Sequence, residues 1–359
     1  MSTLLTEINQ DQSQLFAEKL INIMNGGALA LMISIGHRTR LFDVMAELPP
    51  STSEQIATAA KLNERYVREW LGAVVTGGIV EYDPADRTFS LPIEHAAFLT
   101  RAASPNNLAV GTQFLPLLGS VEDQIVECFH KGGGVPYSEF GRFHEIMAEE
   151  SSQTVVACLL DSILPLVSGL TEALELGIDV VDVGCGSGRA LILMAQTFPR
   201  SRFTGLDLSP EAVSRAREEA AQLGLANITF ETRDVTHLEL HHQFDLVTAF
   251  DAIHDQAKPA LVLEGICKAL RPGGVFLMQD ISGSSHVHED TNHPLGTYLY
   301  TISCMHCMTV SLAQNGDGLG AMWGKETAVR MLREAGFAQV DVESLPHDPI
   351  NFFYVSRKN

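Results

Sequence analysis

A glycine-rich turn near the middle of the chain carries the clearest chemical signal. The segment VVDVGCGSGRALILMA reads as a buried strand that runs into Gly184, Gly186 and Gly188 and then into a helix. Glycines let the backbone bend tightly and approach a ligand closely, and open α/β sheets bind ligands at the carboxyl ends of their strands. The spacing G-x-G-x-G differs from the G-x-G-x-x-G of dinucleotide-binding proteins, and the chain lacks the G-K-[ST] of a phosphate-binding loop. The turn is therefore expected to bind another class of ligand.

Three acidic residues accompany this turn. Asp182 precedes it, Asp207 ends the next predicted strand, and Asp234 follows the third. A carboxylate can accept both hydroxyl hydrogens of a ribose diol, and Asp207 is placed for that role. Asp234 is expected at the adenine end of the same pocket, so the pattern predicts a site for an adenosine-containing molecule.

Five segments resemble, in order and spacing, the successive motifs of class I S-adenosylmethionine-dependent methyltransferases. They are VDVGCGSG, GLDLSP, RDV, FDLVTAFDAIHD and LRPGGVFLMQD, and they span residues 179–281. The resemblance implies S-adenosylmethionine as the cofactor, with the glycines along its methionine part, Asp207 on the ribose hydroxyls and Asp234 on the adenine amino group. The expected cofactor-binding residues are Asp182, Gly184, Cys185, Gly186, Gly188, Asp207, Leu208, Asp234, Val235, Phe250 and Asp251.

His254 is the first candidate for a catalytic residue. Methyl transfer is a displacement at a sulfonium methyl group, so positioning supplies much of the rate, and an O–H acceptor benefits from a base whose pKa is near neutrality. The segment AIHD at 252–255 resembles the I-[LC]-H-D-W segment of small-molecule O-methyltransferases, including plant phenolic and hydroxyindole enzymes, with Gln256 in place of the tryptophan. The resemblance implies that His254 is the general base and Asp255 its neighbour. His306 is a second candidate base.

The acceptor pocket is expected to combine residues from the segments that surround the methyl donor. Met305 and Met308 can line an adaptable apolar pocket, although packing in a helical core is an equal alternative. The candidate pocket residues are Phe143, Met147, Met305, Met308 and Trp323. Cys304, His306 and Cys307, with three histidines upstream at 286, 288 and 293, also raise the hypothesis of a zinc site. A single C-x-x-C pair is a weak metal signal, so no metal is expected.

Strands and helices alternate from Gly177 onward and must position these residues. Alternation of this kind predicts an α/β fold with a Rossmann-like, doubly wound, mostly parallel sheet, here of seven strands. Upstream, two helices capped at Ser53 and Asn63 precede two short strands, Ile79–Tyr82 and Thr88–Leu91, which is the order of a winged helix. The glycine-rich segment 131–136 is the expected boundary between a winged-helix domain, 1–135, and a methyltransferase domain, 136–359, whose motif core is 177–281.

The first apolar segment, Phe16–Met45, is interrupted by Gly26, Gly27 and Gly36. Its spacing predicts two or more mostly buried helices, which can also pair with a second subunit. The small-molecule O-methyltransferases that the chain resembles form dimers through their winged-helix module. The resemblance therefore implies a homodimer.

The amino-acid composition limits the classes of partner that the protein is expected to bind. A formal net charge of -20 disfavours nucleic acid and anionic membranes, which points to a small-molecule acceptor. The apolar stretch 28–35 is too short to span a bilayer, and the N-terminus lacks the pattern of a secretory signal. Six scattered cysteines are expected to be reduced thiols of a cytoplasmic protein.

The sequence is also compatible with other acceptor atoms and with other functions. The acceptor atom can be oxygen, sulfur or nitrogen, because the sequence does not encode it. The winged helix, which carries Lys61, Arg65 and Arg68, can instead belong to a DNA-binding regulator whose methyltransferase-like domain senses a ligand. A third hypothesis is a cofactor-binding domain without catalytic activity.

Overall fold

The computed structural model describes residues 9–359. Contacts divide the chain into two compact units, which meet in sequence between Pro116 and Leu117. The boundary predicted between residues 135 and 136 therefore falls inside the second unit. Each unit is described on its own.

The first unit is helical with a small hairpin. Its elements are α1 (Gln10–Arg38), α2 (Leu41–Glu47), α3 (Ser53–Ala60), α4 (Glu64–Thr76), β1 (Glu81–Asp83), β2 (Thr88–Ser90) and α5 (Ile93–Leu99), with α6 (Phe114–Gly119) at its end. β1 and β2 pair antiparallel as a wing.

The helix caps of this unit agree in part with the sequence. Asn63 caps α4 as predicted, because its side chain accepts a hydrogen bond from the Arg65 amide. Thr52 caps α3 instead of Ser53, in a reciprocal capping box with Gln55. Tyr66 on α4 is 80% exposed, because the buried face of this helix consists of residues 67, 70, 71 and 74.

The N-terminal apolar segment forms two helices, α1 and α2, as predicted, but the predicted burial was wrong for α1. Residues 10–38 form one continuous helix of 29 residues, and most of it is exposed rather than buried. Glycine in a helix costs only about 1 kcal/mol relative to alanine, so three glycines do not stop a segment rich in good helix formers. Its exposed apolar side chains are Leu15, Phe16, Leu20, Ile21, Ile23, Met24, Leu31 and Ile35. By length and composition, α1 is also the one helix of the described residues able to cross a membrane, which differs from the expectation of no such segment.

Gly36 shows why one of these glycines is needed. A Cβ atom there would lie 2.6 Å from the Phe42 ring and 2.7 Å from the Trp70 ring. We expect Gly36→Ala to lower the free energy of unfolding by about 1–3 kcal/mol, because both rings are buried and cannot yield without repacking. Gly26→Ala is the matched control, since a Cβ there meets nothing within 4 Å. Thermal denaturation of both variants decides the point, and equal melting temperatures would contradict the packing argument.

The second unit is the predicted α/β fold. Its strands are β3 (Asp179–Val183), β4 (Arg202–Asp207), β5 (Ile228–Thr232), β6 (Phe244–Phe250), β7 (Leu270–Ile281), β8 (Gln339–Leu345) and β9 (Asp348–Arg357). Its helices are α7 (Glu122–Lys131), α8 (Phe143–Thr154), α9 (Leu170–Leu176), α10 (Arg189–Thr197), α11 (Pro210–Gln222), α12 (Pro259–Ala269), α13 (Gly296–Ile302), α14 (Met308–Ala313) and α15 (Gly324–Glu334). The seven strands form one sheet in the order β5-β4-β3-β6-β7-β9-β8, parallel except for β9, which runs antiparallel to both neighbours.

Alternating side chains of the strands feed two apolar cores, one on each face of the sheet. Val180, Leu246 and Leu277 belong to the core on one face. Val181, Val247 and Phe276 belong to the core on the other. Because both faces are covered, the carboxyl edge of β3, β4, β6 and β7 is where polar residues can meet a ligand.

Two helical stretches of the second unit are interrupted by other turns. Between α8 and α9, residues 156–166 form short 3₁₀ and π turns, and Pro165, which has no amide hydrogen, lies in the last of them. Between α13 and α14, Ser303–Cys307 forms a π-helical turn. Such turns recur at functional sites.

Candidate active site

The glycine loop leaves the end of β3 and is shaped for a ligand. Gly184, Gly186 and Gly188 all have positive φ, at 74°, 53° and 71°, which favours glycine. A Cβ at Gly184 would meet Ala252, and one at Gly188 would meet the Phe230 ring, whereas one at Gly186 would meet nothing within 4 Å. Gly186 therefore borders the open space in which a cofactor can approach the backbone.

Asp207 faces this loop from the end of β4. Its carboxylate accepts hydrogen bonds of 2.8 Å from the Gly186 and Ser209 amides. Each carboxylate oxygen keeps further acceptor capacity, so a ribose diol can be bound as well. Leu208, beside it, is 53% exposed and can cover a ligand.

Asp182 lies beneath the loop and is buried. The Thr248 hydroxyl donates to its carboxylate at 2.7 Å. Burial raises the pKa of Asp182 to about 7 and outweighs that hydrogen bond. The Cys185 amide donates to the Leu206 carbonyl at 3.1 Å, and its side chain packs against the core on one face of the sheet.

The residues expected around adenine and the methionine end vary in exposure. Asp234 is exposed and accepts a hydrogen bond of 2.9 Å from the Thr236 amide, while Val235 is buried. Phe250 is half-buried at the end of β6. Asp251 follows with φ 51°, and its Oδ1 atom is buried without a hydrogen-bond partner in the described chain.

His254 lies just beyond β6 between two carboxylates. Its Nδ1 donates to Asp280 Oδ1 at 2.7 Å, and its Nε2 forms an ion pair with Asp255 Oδ1 at 3.2 Å. Burial alone would lower the pKa of His254, but Asp280 and Asp255 outweigh it and raise the pKa well above its usual value. Both carboxylates therefore stabilise the protonated form of the ring, and the hydrogen bond to Asp280 fixes the ring's orientation.

Asp255 links the two candidate bases. Its Oδ2 accepts a hydrogen bond of 2.8 Å from the Tyr137 hydroxyl and lies 3.9 Å from His306 Nδ1. Burial would raise the pKa of Asp255, but His254 outweighs it and lowers that pKa. Burial lowers the pKa of His306 to about 4, and neither of its ring nitrogens has a hydrogen-bond partner in the described residues.

The candidate acceptor-pocket residues occupy different environments. Phe143 is buried and stacks on His306 with centroids 3.8 Å apart. Met305 lines a surface cavity of about 680 Å³ between α7 and the 296–305 segment. Met147 and Met308 are half-buried. Trp323 is buried in the core and donates through Nε1 to Asp280 Oδ1 at 2.9 Å, so it helps to hold the carboxylate that contacts His254.

Three residues that could bind a metal ion lie together at this site. In the part of the chain described, one ligand atom each of His254, Asp255 and Cys307 lies within 4.8 Å of the others. This group shares only Cys307 with the histidine- and cysteine-rich segment considered from the sequence. The expectation of a metal-free site stays a prediction.

Sequence reasoning missed two residues that hold His254 and Asp255. Asp280 accepts from His254, Trp323 and the Ile281 amide through one oxygen. Tyr137 reaches Asp255 from a 3₁₀ turn far upstream. A signal existed for Asp280, since an acid ends the predicted strand VFLMQD, but nothing local marked Tyr137.

Comparisons with known proteins identify both domains of the chain. A family model of an Rv2258c-like winged HTH domain matches residues 27–101, and a model of a methyltransferase domain matches residues 174–336. A trans-aconitate 2-methyltransferase of Deinococcus radiodurans is 34% identical over 107 residues, which are 30% of this chain and 39% of that protein. A ubiquinone biosynthesis O-methyltransferase of Psychrobacter arcticus is 25% identical over 62% of this chain and 90% of its own length.

A solved structure shares the fold over almost the entire chain. Human N-acetylserotonin methyltransferase, in complex with S-adenosylmethionine, aligns with a TM-score of 0.68 and 18% identity, covering 99% of this chain and 100% of that one. The chain therefore combines an N-terminal winged helix-turn-helix domain with a methyltransferase domain, and its fold is that of S-adenosylmethionine-dependent methyltransferases.

Proposed function

We propose that the protein transfers the methyl group of S-adenosylmethionine to an oxygen of a small molecule, with His254 as the general base. The observation that carries this proposal is the buried contact of 2.7 Å between His254 Nδ1 and Asp280, which holds the imidazole at the carboxyl edge of the sheet. A Cβ atom added to Gly184 would clash with Ala252, which lies two residues before His254. The segment that carries His254 therefore borders the glycine loop. A sulfur or nitrogen acceptor is a variant that needs less or different help from a base.

His254 is preferred to His306 as the base. The low pKa of His306, about 4, makes it a weak proton acceptor at neutral pH. Its packing against Phe143 and Phe140 suits a wall of the acceptor pocket. Asp255 would balance the imidazolium after proton transfer.

The direct test is methyl transfer from labelled S-adenosylmethionine to a panel of small phenols, carboxylates, thiols and amines. The proposal expects methylated product from at least one acceptor with an oxygen nucleophile. No product from any acceptor, with cofactor binding intact, would favour a binding domain without catalysis.

We also propose a homodimer formed through α1. The exposed apolar side chains of α1, among them Phe16, Leu20 and Met24, support an interface because they would otherwise face water. We expect light scattering at micromolar concentration to give twice the mass of the 39.1 kDa chain. Replacing Phe16 and Met24 with glutamate should yield the monomer, and a monomeric wild-type protein would refute the interface.

A cytoplasmic location is proposed on chemical grounds. All six cysteines lie in the described residues and are free thiols. Free thiols persist in reducing compartments.

The winged helix-turn-helix domain also supports a second candidate, a DNA-binding regulator. Its basic side chains on α4 are paired within the helix, Arg68 with Glu64 at 3.3 Å and Arg65 with Glu69, which leaves little free positive charge for phosphates. A gel shift with genomic fragments at low salt distinguishes the candidates, because salt-sensitive retention would favour the regulator.

A further inference from the structure

Three buried oxygens at the edge of the sheet where β6 and β7 end have no hydrogen-bond donor in the described chain. They are Asp251 Oδ1, Gln279 Oε1 and Asn351 Oδ1. They lie at the ends of neighbouring strands, because Phe250 pairs with Gln279 and Ile281 pairs with Asn351. A buried acceptor without a donor costs about 1–3 kcal/mol, so three together indicate a missing donor group.

Hydrogen bonds to Asp348 explain why the Gln279 and Asn351 amide oxygens have no donor. The Gln279 and Asn351 side chains donate to its carboxylate, at 2.7 Å and at 2.9 and 3.1 Å. A carboxylate only accepts, so each amide must turn its nitrogen toward Asp348 and its oxygen away. The orientation of both oxygens follows from this chemistry.

Asp251 is held in an unusual conformation at the same edge. Its φ of 51° is rare for a residue other than glycine, and its amide donates to the Gln279 carbonyl at 3.0 Å. Backbone strain of this kind costs about 1–3 kcal/mol and clusters at binding sites. Burial and then Asp280 raise the pKa of Asp251, while His254 acts in the opposite direction.

Glu150 on α8 adds another acid. His347 Nε2 lies 3.2 Å from the Thr154 carbonyl and so joins the end of α8 to the turn before Asp348. Burial and then Asp348 and Glu149 raise the pKa of Glu150 to about 7. The charged groups that act on Glu150 are thus acids, so a positive charge beside Glu150 would be stabilised.

We propose that the methyl acceptor carries a protonated amine, held by Asp251, Glu150 and the free amide oxygens of Gln279 and Asn351. An ammonium group has three donors and no acceptor, which complements acceptor-only oxygens. A carboxylate in the same place would be repelled, and the net charge of -20 also favours approach of a cation. This inference rests on the proposed function, since it names the substrate class of that site.

Three phenols that differ mainly in the group at the end of the side chain test whether the site recognises an amine. Tyramine, 4-ethylphenol and 3-(4-hydroxyphenyl)propionate are titrated into the full chain with saturating S-adenosylhomocysteine. A charged hydrogen-bonded group predicts roughly 10-fold to 100-fold tighter binding of tyramine than of 4-ethylphenol, and the propionate should bind most weakly. Equal affinity of tyramine and 4-ethylphenol, or no binding of tyramine at millimolar concentration, would overturn the proposal.

Two substitutions on α8 test whether the preference for tyramine depends on the proposed site. Glu150→Gln should remove most of the preference for tyramine and leave the affinity for 4-ethylphenol unchanged. Glu145→Gln is the control, because Glu145 is exposed and pairs with Arg142. A preference that survives Glu150→Gln together with Asp251→Asn would contradict the assignment.

The cofactor also has an ammonium group, on its methionine part, and must be separated from the acceptor. If Glu150→Gln weakens binding of S-adenosylhomocysteine but not of 5′-methylthioadenosine, which lacks that part, the ammonium is the cofactor's and the acceptor proposal is overturned. Unchanged binding of both supports it. Failure of the wild-type chain to bind S-adenosylhomocysteine would instead refute the proposed function.

Discussion

His254→Asn should lower kcat for methyl transfer by about 10²- to 10⁴-fold, the usual contribution of a general base, while leaving the affinity for S-adenosylhomocysteine unchanged. Asparagine keeps a polar side chain beside Asp280 but cannot take up the acceptor's proton. Single-turnover methyl transfer and calorimetry with the cofactor product measure the two quantities separately. His288→Asn is the control, because that histidine is exposed. A variant with wild-type kcat would remove His254 from the mechanism.

The same base predicts a pH dependence. Since Asp280 and Asp255 raise the pKa of His254, the active, deprotonated form increases as pH rises, and kcat should climb with pH above neutrality. Asp280→Asn removes one of these charges, so its pH–rate profile should move to lower pH, with a lower maximum because the ring is less well oriented. A purely structural role for Asp280 would lower the rate at every pH without that displacement.

Asp207→Ala should weaken binding of S-adenosylhomocysteine by roughly 10-fold to 100-fold, the range expected for lost hydrogen bonds to a charged group. The variant removes the acceptor for the ribose hydroxyls and also frees the Gly186 and Ser209 amides, which the carboxylate now holds at 2.8 Å. The cofactor loop would therefore lose a contact with the ligand and also the hydrogen bonds that hold the loop in place.

Glu219→Ala is the control for Asp207→Ala, because Glu219 is exposed on α11. Calorimetric titration of both variants, with circular dichroism to show intact folding, decides the prediction. Equal affinity in Asp207→Ala and wild type would mean that the ribose is bound elsewhere.

The second unit was largely predictable because its signals are local. Alternating strands and helices and glycines at a strand end each depend on neighbouring residues, and the structure agrees with them. The proximity of His254 and Asp255 also follows from their adjacency. His306 was harder, and the structure brings it within 3.9 Å of Asp255 from a separate helix.

The remaining features depend on contacts distant in sequence. Trp323 was predicted to line the acceptor pocket. Its indole nitrogen donates a hydrogen bond to Asp280, 43 positions earlier in the chain, and no local pattern indicated that contact. Tyr137 reaches Asp255 across 118 positions. The exposure of α1 was missed because an apolar helical pattern predicts burial, and pattern alone does not identify what covers the apolar face.

Isothermal titration of the purified full chain with S-adenosylmethionine tests the central claim most directly. The account predicts saturable binding with one cofactor per chain, weakened in Asp207→Ala and unchanged in His254→Asn. A well-folded wild-type chain that releases or absorbs no heat with S-adenosylmethionine or S-adenosylhomocysteine, even at millimolar concentration, would contradict it.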